Sequence, residues 1–213
     1  MNIQFFYPDK SEIKPDFYEA ARYLGYSKLN PPANEVELLI HQCIEEMKKV
    51  IVPKAVYSQF GMRNWELGIG GEAGKIEFAD VSFSSQDLSK NLSGCTEVIL
   101  LAATIGSQVD MLIKRTEHFD SVKAAIFQAT GAMFIEEVVN LLNDKIKKDA
   151  EFQGFTAKPR YSPGYGDVSL DVQKDFFRLL PCTKIGLTLM DTLVMAPEKS
   201  VTAFIGLQPV YNS

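Results

Sequence analysis

The sequence has little of what metal-binding and disulfide-rich proteins need, with 3 cysteines and 2 histidines among 213 residues. Cys43, Cys95 and Cys182 lie far apart without a CxxC pair, and this odd number predicts reduced thiols rather than a set of disulfides. His41 and His118 are also isolated, so local spacing assembles neither a zinc site nor a nucleophile–histidine pair. The composition therefore gives no support for thiol, histidine or metal catalysis.

The chain also lacks a block of lysines and arginines and has a net charge of −5, so a non-specific nucleic-acid surface is not expected. Its longest apolar run, residues 98–103, is too short to span a bilayer. Residues 1–20 lack a basic segment followed by an apolar one, which a secretory signal would need. These absences predict a cytoplasmic protein without a membrane or nucleic-acid partner.

Hydrophobic periodicity predicts both helices and strands. The predicted helices are residues 13–26, 34–50, 107–117, 120–148 and 170–180, and the predicted strands lie within residues 76–83, 97–103, 185–195 and 200–207. Because helices and strands alternate only in part and the last elements are strands, we expect an α+β fold. Its mixed or antiparallel central sheet should be flanked by helices. An N-terminal helical segment, residues 1–60, is expected to pack on the main α+β domain, residues 61–213, as one compact unit.

Individual residues carry expectations about local structure. Asn34 and Ser85 are expected to cap helices, and either Asp120 or Ser121 is expected to cap the longest one. The mid-helix Gly131 indicates a close neighbour. The glycines of residues 68–74 are interpreted as a hairpin turn, because they do not follow an apolar strand and open a helix as a phosphate loop would. The last two strands are expected to form a hairpin or to lie side by side.

The stretch KPRYSPGYGD, which begins at residue 158, contains the strongest candidate site. Arg160 offers five donors in a fixed fork that suits a carboxylate. Pro163 fixes its own backbone, Gly164 lets a ligand approach without a Cβ in the way, and Tyr165 adds a ring and a hydroxyl. These residues fit a loop that holds a small zwitterion, and a connecting loop whose arginine pairs on the surface is an equally open interpretation.

Two acidic residues are further candidates for a local role. Glu136 falls on a mostly apolar strip of the longest predicted helix, where it is either a boundary residue or a carboxylate held in a cleft for a cation. Asp167 ends the loop and is expected to cap the helix that follows.

The segment RYSPGYGD resembles the R-x-x-x-G-Y signature of the activation (reactivation) domain of cobalamin-dependent methionine synthase. Downstream, LTLMDTLVMAPEKSVTAFIG is similar to the M-x-P-x-x-S-V stretch of that family, and residues 102–146 are similar to its T-G segment and the helices that follow. The resemblance covers about residues 95–207. The N-terminal third looks like the free-standing short members of the family.

The resemblance implies a protein that binds S-adenosylmethionine and supports the reductive remethylation of cob(II)alamin. Arg160 would bind the ligand carboxylate, Glu136 would attract its ammonium group, and Tyr165 would pack beside it near the cobalamin. The implied ligand-binding residues are Glu136, Arg160, Ser162, Pro163, Gly164 and Tyr165. The cobalamin would be carried by a module of methionine synthase or of another corrinoid protein, with a flavodoxin-type electron donor. The chain would act as an activation subunit rather than as a self-contained enzyme.

Two other functions stay open. The first is a binding or scaffold module for a corrinoid protein, without S-adenosylmethionine chemistry of its own. The second is an independent S-adenosylmethionine methyltransferase, against which the absence of a glycine-rich loop after a first strand argues.

Overall fold

The computed structural model describes residues 2–65 and 74–210. Within these ranges the helices are α1 (Phe17–Tyr23), α2 (Asn34–Val50), α3 (Gln86–Asn91), α4 (Ser107–Glu117), α5 (Ser121–Phe152) and α6 (Gln173–Leu179). The strands are β1 (Asn2–Phe6), β2 (Lys54–Trp65), β3 (Lys75–Phe78), β4 (Val81–Ser84), β5 (Glu97–Thr104), β6 (Phe155–Ala157), β7 (Thr188–Leu189), β8 (Met195–Ala196) and β9 (Ser200–Pro209). Short 3-10 helices span Leu170–Val172 and Cys182–Ile185.

One seven-stranded sheet forms the centre of the fold, in the order β4-β3-β2-β5-β9-β6. β1 pairs with the first half of β2, on the edge that faces away from β5, and β3 pairs with the second half. All of these pairs are antiparallel. Together with the flanking helices, this arrangement confirms the predicted α+β fold.

Residues 98–103 of the central strand β5 form an unbroken apolar run because both faces of the sheet are covered. Alternate residues of β5 point to opposite faces, so Ile99 and Leu101 join one core, whereas Val98 and Leu100 join the other. The first core lies under α1, α2, α4 and α5, and the second lies under α3, α6 and the β3–β4 hairpin. Burial on both faces explains the unbroken apolar run that marked β5 in the sequence.

The long helix α5 packs against α1, α2 and α4 and supplies much of the first core. Asp120 caps it as predicted, since its carboxylate accepts a hydrogen bond from the Lys123 backbone N–H at 2.9 Å. Gly131 also meets the expected close neighbour, because a Cβ at this position would lie 3.1 Å from Cε of Lys199. Among the described residues, α5 is the helix long and apolar enough to cross a membrane, but 61% of its apolar window is buried inside the fold, as in a core helix.

Three expectations about local structure have different outcomes. Ser85 caps α3 as predicted, but Asn34 is the first residue of α2, and no side chain caps that helix. The predicted hairpin of the last two strands is wrong, because β7 pairs with β8 while β9 lies between β5 and β6. β9 is buried on both faces, and only a central place in the sheet provides that burial. The glycine-rich turn at residues 68–74 lies largely outside the described residues.

The N-terminal segment contributes more than helices. It adds β1, which the sequence pattern did not indicate, and the predicted boundary after residue 60 falls inside β2. Ile13, Ala20 and Ile40 from this segment join the same buried core as Ile99 of β5. The division into two units remains a prediction.

Candidate functional site

A cavity of about 300 Å³ lies where α5 meets the loop between β6 and α6. Its lining residues are Glu136, Arg160, Tyr161, Ser162, Tyr165 and Val201. Four of the six residues implied by the sequence resemblance thus surround one cavity, although Glu136 is separated from the others by more than twenty positions in the chain. The volume is at the lower end of the range of ligand pockets, about 300–1,000 Å³.

Arg160 is the electrostatic centre of the cavity. Its Nη2 lies 3.2 Å from Oε2 of Glu136 and donates a hydrogen bond of 3.1 Å to Oδ1 of Asn140. Its Nη1 is buried and has no hydrogen-bond partner among the described residues. A guanidinium presents five donors, and a buried donor without an acceptor is costly. One side of the fork is therefore satisfied, and the other still lacks an acceptor.

The main chain of the loop is held against the sheet. Tyr161 exchanges two backbone hydrogen bonds with Phe204 of β9, at 3.0 and 2.8 Å. Further along, Gly166 has φ +53, and a Cβ there would lie closer than 3.0 Å to the Tyr161 hydroxyl and to the Asp87 carboxylate. Only glycine fits such a position without displacing its neighbours. The arginine is thus presented by an anchored segment.

Asp167 connects the loop to α3, which corrects its predicted role. Its carboxylate accepts hydrogen bonds from the Ser85 hydroxyl and from the backbone N–H groups of Gln86 and Asp87, at the start of α3. Desolvation by burial would raise the pKa of Asp167, but these hydrogen bonds outweigh it and the pKa is lowered. The 3-10 turn after the loop is capped by Ser169 instead. The sequence could not reveal this role, because α3 lies about eighty residues away.

Replacing Asp167 with alanine should destabilise the protein by about 1–2 kcal/mol, the usual cost of a lost helix cap. The melting temperature at pH 7 would then fall by about 2–8 °C. The difference should shrink as the pH falls below 3.8, the ordinary pKa of aspartate, because a carboxylate with a lowered pKa loses its contribution as the pH falls through its folded pKa. Asp191→Ala, in the exposed β7–β8 connection, is the control. Equal melting temperatures for the two variants would show that Asp167 does not anchor the loop.

Pro163 and Gly164, the other two residues that the resemblance implies, belong to the loop but do not line the cavity. Pro163 is buried. Gly164 has φ +88, a conformation that favours glycine, and its N–H donates to the Val168 carbonyl. Both shape the loop, and their predicted contact with a ligand stays a prediction.

Sequence reasoning did not select four residues at or beside the cavity: Tyr161, Val201, Asn140 and Tyr23. The spacing of 136 and 140 does place these residues on one face of a helix, which is a usable signal for Asn140. Tyr23 comes from α1, and its pKa is raised by burial and by the nearby charges of Glu136 and Glu19. α1 packs against α5, which carries Glu136, so the first helix lies near the site, a contact that no local pattern indicates.

A larger cavity, about 690 Å³, lies between α1, the following loop and α2. Its lining combines aromatic rings and two prolines with five charged side chains, and there the ring of His41 stacks on Phe17 with 4.6 Å between centroids. The three cysteines are free and buried elsewhere in the fold. Burial raises the pKa of Cys43 and Cys95 to about 11 and of Cys182 to about 12, so none is an activated thiol.

The architecture and the site together define an α+β domain with a charged cleft beside its longest helix. Compared with solved structures, the chain is similar to the MetH reactivation domain bound to AdoHcy, with a TM-score of 0.69 and 14% sequence identity. The match covers 100% of this chain and 80% of that chain. No family model matches the sequence, and no curated protein matches it. The structural likeness establishes that this protein has the fold of that reactivation domain.

Proposed function

We propose that this protein binds S-adenosylmethionine in the cavity beside Arg160 and serves as an activation protein for a cobalamin-dependent methionine synthase or another corrinoid protein. The observation that carries the proposal is the state of Arg160, whose Nη2 is paired while its buried Nη1 lacks an acceptor among the described residues. A ligand carboxylate would supply that acceptor through a charge-assisted hydrogen bond. The likeness to a domain bound to AdoHcy, the demethylated product of S-adenosylmethionine, supports the same ligand class.

The charges of the cavity match the amino-acid end of this ligand. Arg160 and Glu136 pair with each other at 3.2 Å, and their side chains are 24% and 37% exposed. With Glu136 paired to Nη2 of Arg160, a zwitterion can add two contacts, its carboxylate on Nη1 and its ammonium on Glu136. A simple anion would make only the first of these two contacts. The cavity therefore favours a zwitterion over an anion.

In this proposal the protein contributes position rather than acid–base chemistry. Arg160 and Glu136 fix the amino-acid end, and Tyr165, 70% exposed at the mouth of the cavity, covers the ligand on the side open to a partner. A bound methyl donor held in this way needs no general base, because the gain comes from proximity and orientation. The partner's cobalamin would supply the reduced cobalt that accepts the methyl group. The three free cysteines and the buried α5 support a cytoplasmic setting.

Titration calorimetry with S-adenosylmethionine tests the proposal. We expect one binding site per chain, and AdoHcy should compete for it because it has the same amino-acid end. Absence of binding, both alone and with a cobalamin-bearing module present, would overturn the proposal.

The alternative is a binding or scaffold module without S-adenosylmethionine chemistry. One observation favours it, since the Glu136–Arg160 ion pair is already closed within the protein. The whole role of this ion pair could be to hold the loop against α5. In that case a corrinoid protein would bind this chain in a pull-down, and S-adenosylmethionine would change neither the affinity nor the melting temperature.

Replacing Glu136 with glutamine should weaken S-adenosylmethionine binding about three- to tenfold, because the ammonium loses its charged partner but keeps a hydrogen-bond acceptor. Calorimetry measures the change, and Glu45→Gln on the exposed side of α2 is the matched control. Stability should change by less than about 1 kcal/mol, as for a partly exposed ion pair. Unchanged affinity would remove Glu136 from the site.

A further inference from the structure

Asn140 lies one helical turn after Glu136 on α5 and contacts the same nitrogen of Arg160. Its Oδ1 accepts from Nη2 at 3.1 Å, while Glu136 lies 3.2 Å from that nitrogen. Glu136 and Asn140 lie on one face of α5, and their two contacts hold the guanidinium against that face. Nη1 is buried and is the terminal nitrogen of Arg160 without a hydrogen-bond partner among the described residues.

The amide of Asn140 is itself held in one orientation. Its Nδ2 donates a hydrogen bond of 3.2 Å to Oε1 of Glu137. An amide that flipped by 180° would point its NH₂ group at Nη2 of Arg160, and two donors would then face each other. Glu137 prevents this, because a carboxylate accepts hydrogen bonds and cannot donate one when ionised. The contacts thus form a chain from Glu137 through Asn140 to Arg160.

We infer that Asn140 and Glu137 are positioning residues, which hold Arg160 so that Nη1 faces the ligand carboxylate. The inference rests on the proposed function, because it concerns the group that would bind the carboxylate. Neither residue lines the cavity, so each acts through Arg160 rather than on the ligand. Asn140 therefore orients the arginine, as hydrogen bonds from surrounding residues orient the ligands of a metal ion.

Calorimetry on four variants tests the effect on binding. Asn140→Ala should weaken S-adenosylmethionine binding about three- to tenfold, the loss of one hydrogen bond to a charged group. Glu137→Leu should weaken it in the same direction, because the amide is free to flip. Glu137→Gln keeps an acceptor oxygen and should recover most of the affinity lost in Glu137→Leu. The control is Asp144→Ala, one turn after Asn140 and exposed, which should bind like the wild type.

Nitrogen-15 NMR of the arginine side chains, without ligand, tests the positioning itself. In the wild type the Arg160 guanidinium signals should show hindered rotation, and in Asn140→Ala and Glu137→Leu that rotation should become faster. A role in helix stability alone would not change these signals.

The outcomes distinguish the positioning role from the proposed function. If the wild type binds S-adenosylmethionine and Asn140→Ala binds equally well, the positioning role is overturned and the proposed function stands. If the wild type does not bind, the proposed function fails, and the NMR signals alone decide whether Asn140 holds Arg160. Identical signals in wild type and Asn140→Ala would overturn the inference in either case.

Discussion

Replacing Arg160 with alanine should weaken S-adenosylmethionine binding by at least about 30-fold, the effect of removing one partner of a hydrogen-bonded charge pair. The reason is that Arg160 holds the unfilled donor of the cavity, and no other basic side chain is among the described residues that line it. Stability should hardly change, because the lost ion pair with Glu136 is partly exposed and worth at most about 1 kcal/mol. Calorimetry and thermal unfolding measure the two effects separately.

Two further variants test whether the loss of affinity is specific to the guanidinium of Arg160. Arg160→Lys keeps the charge but not the planar fork, and its affinity should fall between those of the wild type and Arg160→Ala. Arg178→Ala is the matched control, because Arg178 is also a partly exposed arginine with two acidic partners, Asp80 and Asp175, outside the cavity. A large loss of stability in Arg160→Ala, with affinity retained by the folded fraction, would show that the loop arginine is structural.

Replacing Phe204 with alanine should have the largest effect on stability, about 3–5 kcal/mol, which is typical for a buried phenylalanine truncated in a core. Phe204 is fully buried in β9, and its ring contacts those of Phe78, Phe83 and Phe176 at centroid distances of 6.0, 6.0 and 4.7 Å. Removing the ring would leave a new empty space where the central sheet, the β3–β4 hairpin and α6 meet. Thermal unfolding should shift down by about 6–20 °C.

Phe119→Ala is the control for this prediction, since Phe119 is 86% exposed and its truncation should change the melting temperature little. Phe204→Leu should lie between the two, because leucine refills part of the volume. A shift of less than about 2 °C for Phe204→Ala would contradict the packing described for the second core. The backbone bonds between Tyr161 and Phe204 do not involve the ring, so any folded fraction should still bind ligand.

The strongly patterned elements could be predicted from the sequence. α2, α4 and β5 begin and end at or within one residue of the predicted bounds, because each carries a clear period or a short apolar run. β1 and β6 could not be found in this way, since they are short and their pairing is decided by distant strands. For β9 the apolar run was recognised but its partners were not, because burial on both faces does not identify which strands lie beside it.

The site was predictable only in part. The composition of the loop indicated that Arg160 and Tyr165 could serve a ligand, but their connection to Glu136 depended on a family resemblance. Spacing alone could not place α5 against the loop. Asp167 and Asn140 show the limit most clearly, because each acts through a contact distant in sequence, with α3 and with Arg160 respectively.

Methyl transfer to cobalamin on a partner protein tests the proposed function most directly. A methionine synthase without its own reactivation domain would be prepared in the cob(II)alamin state and mixed with this protein, a flavodoxin-type reductant and S-adenosylmethionine labelled in its methyl group. We expect labelled methylcobalamin to form when this protein is present and not when Arg160→Ala replaces it. Label that appears at the same rate without the protein, or that never appears although S-adenosylmethionine binds, would contradict the proposed function.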